Sequence, residues 1–176
     1  VVFGEQDIML GIKYLWQTAV KAEKPLIICF GIGTNIGGHE RGGCLGEYLE
    51  SRGNYSGVCA VAACGNEANA GHHYRSGLLR SGQDVEVELR TGSDDGFTIE
   101  LWGDAPNLYA IGIISPSGEY SGKTTAKLGE QHRIRFVLEK TVVDIDYLIT
   151  AYESGDECVR LRFSSVEPGL WKIRVF

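Results

Sequence analysis

Val58-Cys59-Ala60-Val61-Ala62-Ala63-Cys64-Gly65-Asn66-Glu67 is a run of small and apolar residues that stops abruptly at Gly-Asn-Glu. A run this short, β-branched at its start and glycine-bounded at its end, predicts a strand buried on both faces. The polar residues then fall just past its C-terminal end, where open α/β sheets place their ligands and their chemistry. Asn66 alone also suits a left-handed turn after a strand, so the stretch by itself admits a functional reading and a plain one.

Working outward, Leu26-Ile27-Ile28-Cys29-Phe30 is a second short apolar run and a second buried strand. Before it, from about Gly4 to Lys24, Ile8, Ile12, Leu15, Trp16 and Ala19 recur at spacings of three and four, which predicts one helical face. Pro25 ends that helix, because its ring cannot sit inside one. Gly31 to Gly38 reads as a loop. Another helix is expected over about Gly42 to Arg52, with Leu45, Tyr48 and Leu49 inward and Gly53 as its C-cap. Strand, helix, strand with buried runs is a βαβ unit with parallel pairing.

After about Ser81 the period changes from 3.6 to 2. Val85/Val87/Leu89, Phe97/Ile99/Leu101, Tyr109/Ile111/Ile113, Ile134/Phe136/Leu138, Val143/Ile145/Tyr147/Ile149, Val159/Leu161/Phe163 and Trp171/Ile173/Val175 alternate with polar or small residues. Turn signals separate them at Gly92 to Gly96, Ser115 to Gly118, Ser154 to Asp156 and Glu167 to Gly169. The spacing predicts seven or eight short antiparallel strands in a β-sandwich of jelly-roll type. The expected class is therefore α/β plus all-β: a partial parallel α/β unit over 1–80, then a sandwich over 81–176. The break falls near Tyr74 to Gln83.

Lys+Arg 17 against Asp+Glu 23 gives a formal charge of −6, which argues against a nucleic-acid surface. No apolar run reaches the roughly 18–20 residues of a membrane span. The five cysteines include no C-x-x-C pair, and they read as small buried hydrophobes rather than disulfide partners or metal ligands. The chain begins at Val1 in mid-pattern and ends on a strand-like alternation, as an internal piece of a longer protein would.

Ala-Ala-Cys-Gly-Asn-Glu at Ala62–Glu67 resembles the Ala-Ala-Gly-Asn-Glu signature of subtilisin-like serine proteases (subtilases). In that family the Asn side chain donates to the oxyanion, which assigns this role to Asn66. Pro25 to Asn35 is similar to the subtilase strand ending in Asn-x-Ser-Leu-Gly, with Cys29 in place of the Asn and Gly31 in place of the Ser. The resemblance makes Gly31, Ile32 and Gly33 the backbone that pairs with extended substrate and lines its pocket. Pairing of that kind uses main-chain groups and survives such substitutions. Ala63, Cys64 and Gly65 form the opposite wall on the same reasoning. Asn66 to Tyr74, with its His72-His73-Tyr74, resembles a Gly-Asn-Glu-Gly-Asn-x-x-His-His-Tyr segment of clostridial subtilases, including the spore-germination (Csp-type) proteases. Those carry a jelly roll between the oxyanion Asn and the catalytic Ser, where the β-rich half lies here.

None of the motifs that bear the family's Asp, His and Ser is in this sequence. The resemblance thus implies an internal fragment of a serine endopeptidase, inactive alone, whose parent acts on peptide or protein substrates without a cofactor. Two other readings stay open: a pseudoprotease that regulates spore-germination signalling, and a carbohydrate-binding sandwich using Trp102, Tyr109, Tyr120, Tyr152 or Trp171.

Adjacent His72 and His73 point opposite ways on an extended segment, and no further ligands stand at zinc spacing, so no metal is expected there. A loop packed on the neighbouring domain is the expectation for them, and His39 and His132 have no motif context. Cys64 lacks any base placed by sequence to activate it, which leaves it a pocket-wall residue. Asp94/Asp95, Asp144/Asp146 and Asp156/Glu157 read as solvated turn or outward-facing carboxylates rather than calcium ligands. Two strands cut from a wider sheet expose edges and apolar faces, which predicts a homodimer or packing onto the sandwich.

Overall fold

The structure is a computed structural model that describes residues 4–38, 43–92, 94–127, 131–151 and 154–176. The expected helix start at Gly42, and His39 and Tyr152, lie outside the described residues, as do Ser93 of the first expected turn and the side chain of Asp94. The chain divides into two compact units, one holding the residues up to His72 and the other holding His73–Ala151 and Gly155–Phe176.

In the first unit, helix α1 (Glu5–Lys21) begins after Gly4, whose backbone N–H donates to the Asp7 carboxylate at 3.0 Å. Ile12 is its buried residue, while Leu15, expected inward, is exposed. Strand β1 (Leu26–Phe30) pairs in parallel with β2 (Val58–Ala62), with Leu26 opposite Val58 and Phe30 opposite Ala62. Helix α2 (Cys44–Gly53) lies between them in sequence and keeps Leu45, Tyr48 and Leu49 half-buried; it runs through Gly53 and caps at Asn54. Its N-cap, Gly43, has no side chain to offer. The Glu5 carboxylate of α1 accepts the Leu45 N–H at 2.8 Å instead, supplying both an acceptor and a negative charge where a helix start wants them.

The strands of this unit are not buried as the sequence predicts. In β1 only Ile28 is buried, Ile27 is 74% exposed, and in β2 Val61 is 50% exposed. Apolar composition states what a strand tolerates, whereas burial needs neighbours, and among the described residues this sheet has two strands. The cysteines differ for the same reason: Cys158 is buried, but Cys29, Cys44, Cys59 and Cys64 are free and exposed.

The second unit is antiparallel throughout. One sheet has the order β3 (Val85–Thr91), β10 (Gly169–Val175), β5 (Ala110–Ile114), β6 (Thr124–Thr125). The other has the order β4 (Asp94–Gly103), β9 (Glu157–Val166), β8 (Val142–Leu148), β7 (His132–Arg135). Period-2 alternation puts Ile111, Ile113, Trp171, Ile173 and Val175 of the first sheet into one buried cluster with Val143, Ile145, Val159, Leu161 and Phe163 of the second. Trp171 sits at its centre, edge-on to Phe136 and to Phe163. The solvent face of the second sheet carries cross-strand ion pairs, Arg160 with Glu100, Arg162 with Asp146 and Arg133 with Asp144.

The fold class expected from the sequence needs correction. Parallel pairing is confined to two five-residue strands and helix to two elements, among the described residues. The chain is a mainly antiparallel β protein, and not a subtilase-like parallel α/β unit followed by a jelly-roll sandwich. The apolar runs at 26–30 and 58–62 have the composition of interior strands of a wide sheet, and that composition misleads about the class.

Candidate functional site

Parallel strands leave a sheet on the same side, so the residues that follow β1 and β2 emerge side by side. The last paired position is Phe30 with Ala62, and one residue further the Ala63 N–H donates to the Phe30 carbonyl at 3.0 Å. This brings together the two candidate walls, Gly31-Ile32-Gly33 and Ala63-Cys64-Gly65, at the C-terminal edge of the pair. Both are exposed, and a Cβ added at Gly31, Gly33 or Gly65 would meet nothing within 4 Å. Main-chain groups there are open to an extended peptide.

Gly65 has φ of +87°, a conformation that L side chains rarely adopt. The turn it makes sets the course of the chain into Asn66. The Asn66 side chain is exposed and has no hydrogen-bond partner among the described residues. An amide N–H₂ held free at a strand end is the kind of donor that can stabilise a developing oxyanion.

The next residue is far from free. The Glu67 carboxylate oxygen Oε2 accepts the Asn35 side-chain N–H at 2.9 Å, across 32 residues of sequence. The same oxygen meets Nδ1 of His72. Asn35 and the His72 pairing are what sequence reasoning missed. The Gly-Asn-Glu motif pointed to Glu67 as part of a signature but gave it no partner, and His72 was expected to pack on a neighbouring domain. Its imidazole turns back to Glu67 within its own unit. Ala70 N–H donates to the Glu67 carbonyl at 3.0 Å and closes the turn between them. Among the described residues no group of three or more His, Cys, Asp or Glu side chains is placed to hold a metal ion, and no helix is long and apolar enough to cross a membrane.

The aromatic residues weighed for stacking on a sugar differ in exposure, with Tyr120 exposed and Trp102 and Tyr109 half-buried. Trp171 is fully buried. The Tyr109 ring lies against Gly103 and the Tyr120 ring against Gly112, so closely that a Cβ at either glycine would overlap them. Trp102 donates its indole N–H to Glu100 at 3.2 Å. Of the carboxylates expected to face water, Asp144 and Asp146 are half-buried and held in ion pairs. Glu157 does not: it is buried, and the Tyr109 backbone N–H donates to it at 2.8 Å.

No family model matches this chain, and no curated protein matches it in sequence. Its fold is similar to that of a stretch of a bacterial protease. That protein is the CspB protease of Clostridium perfringens, matched with a TM-score of 0.85 over 99% of this chain at 20% sequence identity. The chain spans 37% of the length of that protease. At this level of identity the likeness is one of fold.

Proposed function

We propose that this chain is a fragment of a subtilisin-like serine endopeptidase of the clostridial Csp type. Residues 1–80 belong to its catalytic domain and 81–176 to a β-rich insertion. Asn66 supplies the oxyanion donor. Gly31, Ile32 and Gly33 pair with extended substrate and form one pocket wall, and Ala63, Cys64 and Gly65 form the other. The observation that carries this reading is the Phe30–Ala63 hydrogen bond, which joins the ends of the two strands where the proposed walls begin, followed by an Asn66 side chain with no hydrogen-bond partner among the described residues. The fold likeness to a clostridial protease supports it.

In the parent, a Ser, His and Asp outside this chain perform the covalent chemistry on a peptide or protein substrate. Attack on the scissile carbonyl leaves negative charge on its oxygen, and the Asn66 N–H₂ donates to that oxygen where water is scarce. No cofactor enters. The chain by itself has no nucleophile for a fluorophosphonate and stays unlabelled by that probe. In the full-length protein, Asn66→Ala lowers kcat by about 10²–10³, the loss known for the corresponding asparagine of subtilisin, with little change in substrate binding. An unchanged kcat removes the oxyanion role. A full-length protein that has lost triad residues is instead a pseudoprotease.

A further inference from the structure

We propose that Glu67 is a positioning residue, whose carboxylate ties the loop after β1 to the loop after β2 and so fixes how Asn66 presents its amide. The proposal rests on the oxyanion reading of Asn66 given above. Residues 61–75 are exposed throughout, so little apolar burial holds this loop in place. An exposed loop keeps its conformation through specific polar bonds or loses it to chain entropy. Glu67 provides such bonds at the position next to Asn66. Its Oε2 takes Asn35 from the β1 side and His72 from further along its own loop. One oxygen therefore serves two donors, and they belong to segments 32 and 5 residues away.

The arrangement works at both ends. Asn35 follows Gly31-Ile32-Gly33 closely, so anchoring it restrains that wall, and the short span from Glu67 to His72 is closed into a loop around the same carboxylate. Asn66 then has a restrained neighbour on one side and the Gly65 turn on the other. Exposed polar contacts of this type add little to global stability. A small effect on unfolding with a large effect on presentation is therefore what separates positioning from a structural role.

Two measurements test this. In the 176-residue chain, ¹⁵N relaxation is followed at the Asn66 side-chain amide and at the Gly31, Gly33 and Cys64 backbone amides. Glu67→Ala is expected to mobilise all of them together with the melting temperature almost unchanged. Glu67→Gln is expected to restore them, because its amide oxygen accepts from both Asn35 and His72. Unchanged mobility at Gly31 and Gly33 in Glu67→Ala overturns the tie. In the full-length protein, Glu67→Ala is expected to lower kcat roughly ten- to hundred-fold, with KM moved less and Glu67→Gln recovering most of the loss. A normal kcat in Glu67→Ala beside a depressed one in Asn66→Ala overturns the positioning role and leaves the oxyanion role standing. A normal kcat in both removes the oxyanion role, and the relaxation data then still decide the tie.

Discussion

The carbonyl of Phe30 accepts the backbone N–H of Ala63 at 3.0 Å, one step beyond the last paired position of β1 and β2. The two strand ends are therefore held together up to the point where their loops begin. Two residues later Gly65 turns the chain at φ +87°. An L residue there is strained by roughly 1–2 kcal/mol, even though its Cβ has open space around it. Gly65→Ala should accordingly destabilise the first unit by about 1 kcal/mol, and Gly65→Val by more, read from hydrogen exchange of the β1 and β2 amides. Equal exchange in wild type and Gly65→Val would show that the turn is not under constraint.

Glu157 makes the stability of the second unit depend on pH. Burial pushes its carboxyl up from the ordinary Glu value of 4.5, and the Tyr109 backbone N–H only partly opposes this. The folded protein thus holds the Glu157 proton more tightly than the unfolded chain does. Its contribution to stability is fully present below about pH 4.5 and is lost as pH rises through the raised folded value. Glu157→Gln keeps the acceptor for Tyr109 and removes the charge. Its melting temperature relative to wild type should climb as pH rises above about 4.5 and level off once the raised folded value is passed. A difference that stays flat over that range refutes the role of this group.

How much could be read in the sequence depended on whether a residue's fate is set by its near neighbours. Val159, Leu161 and Phe163 alternate because one face of β9 meets a core, and that period is visible without a structure. The pattern Ile134/Phe136/Leu138 looks the same, yet β7 stops at Arg135. The Phe136 N–H donates to the Thr141 carbonyl across a turn, so Phe136 faces the core while Leu138 is exposed. A pair as short as Thr124–Thr125 in β6 has no period to detect. At the site, the motif at Gly65-Asn66-Glu67 was legible because it is contiguous. The Asn35–Glu67 bond spans 32 residues and joins two loops without periodicity, so nothing local announces it.

The exposed face of the β1–β2 pair leads to a prediction about solution state. Side chains alternate along each strand, and register places Ile27 beside Cys59 and Cys29 beside Val61, on the face away from buried Ile28. Four apolar or weakly polar side chains in one patch favour contact with a similar surface, and every copy of the chain carries one. The chain should form a homodimer whose fraction rises with concentration in sedimentation velocity. The runs need a reductant, since Cys29 and Cys59 are both exposed and free and could otherwise cross-link the copies. Ile27→Ser with Val61→Ser should return the chain to monomer while the β-rich unit keeps its melting transition. A wild-type chain that stays monomeric at high concentration, or a double variant that still dimerises, would place any self-association elsewhere than on this face.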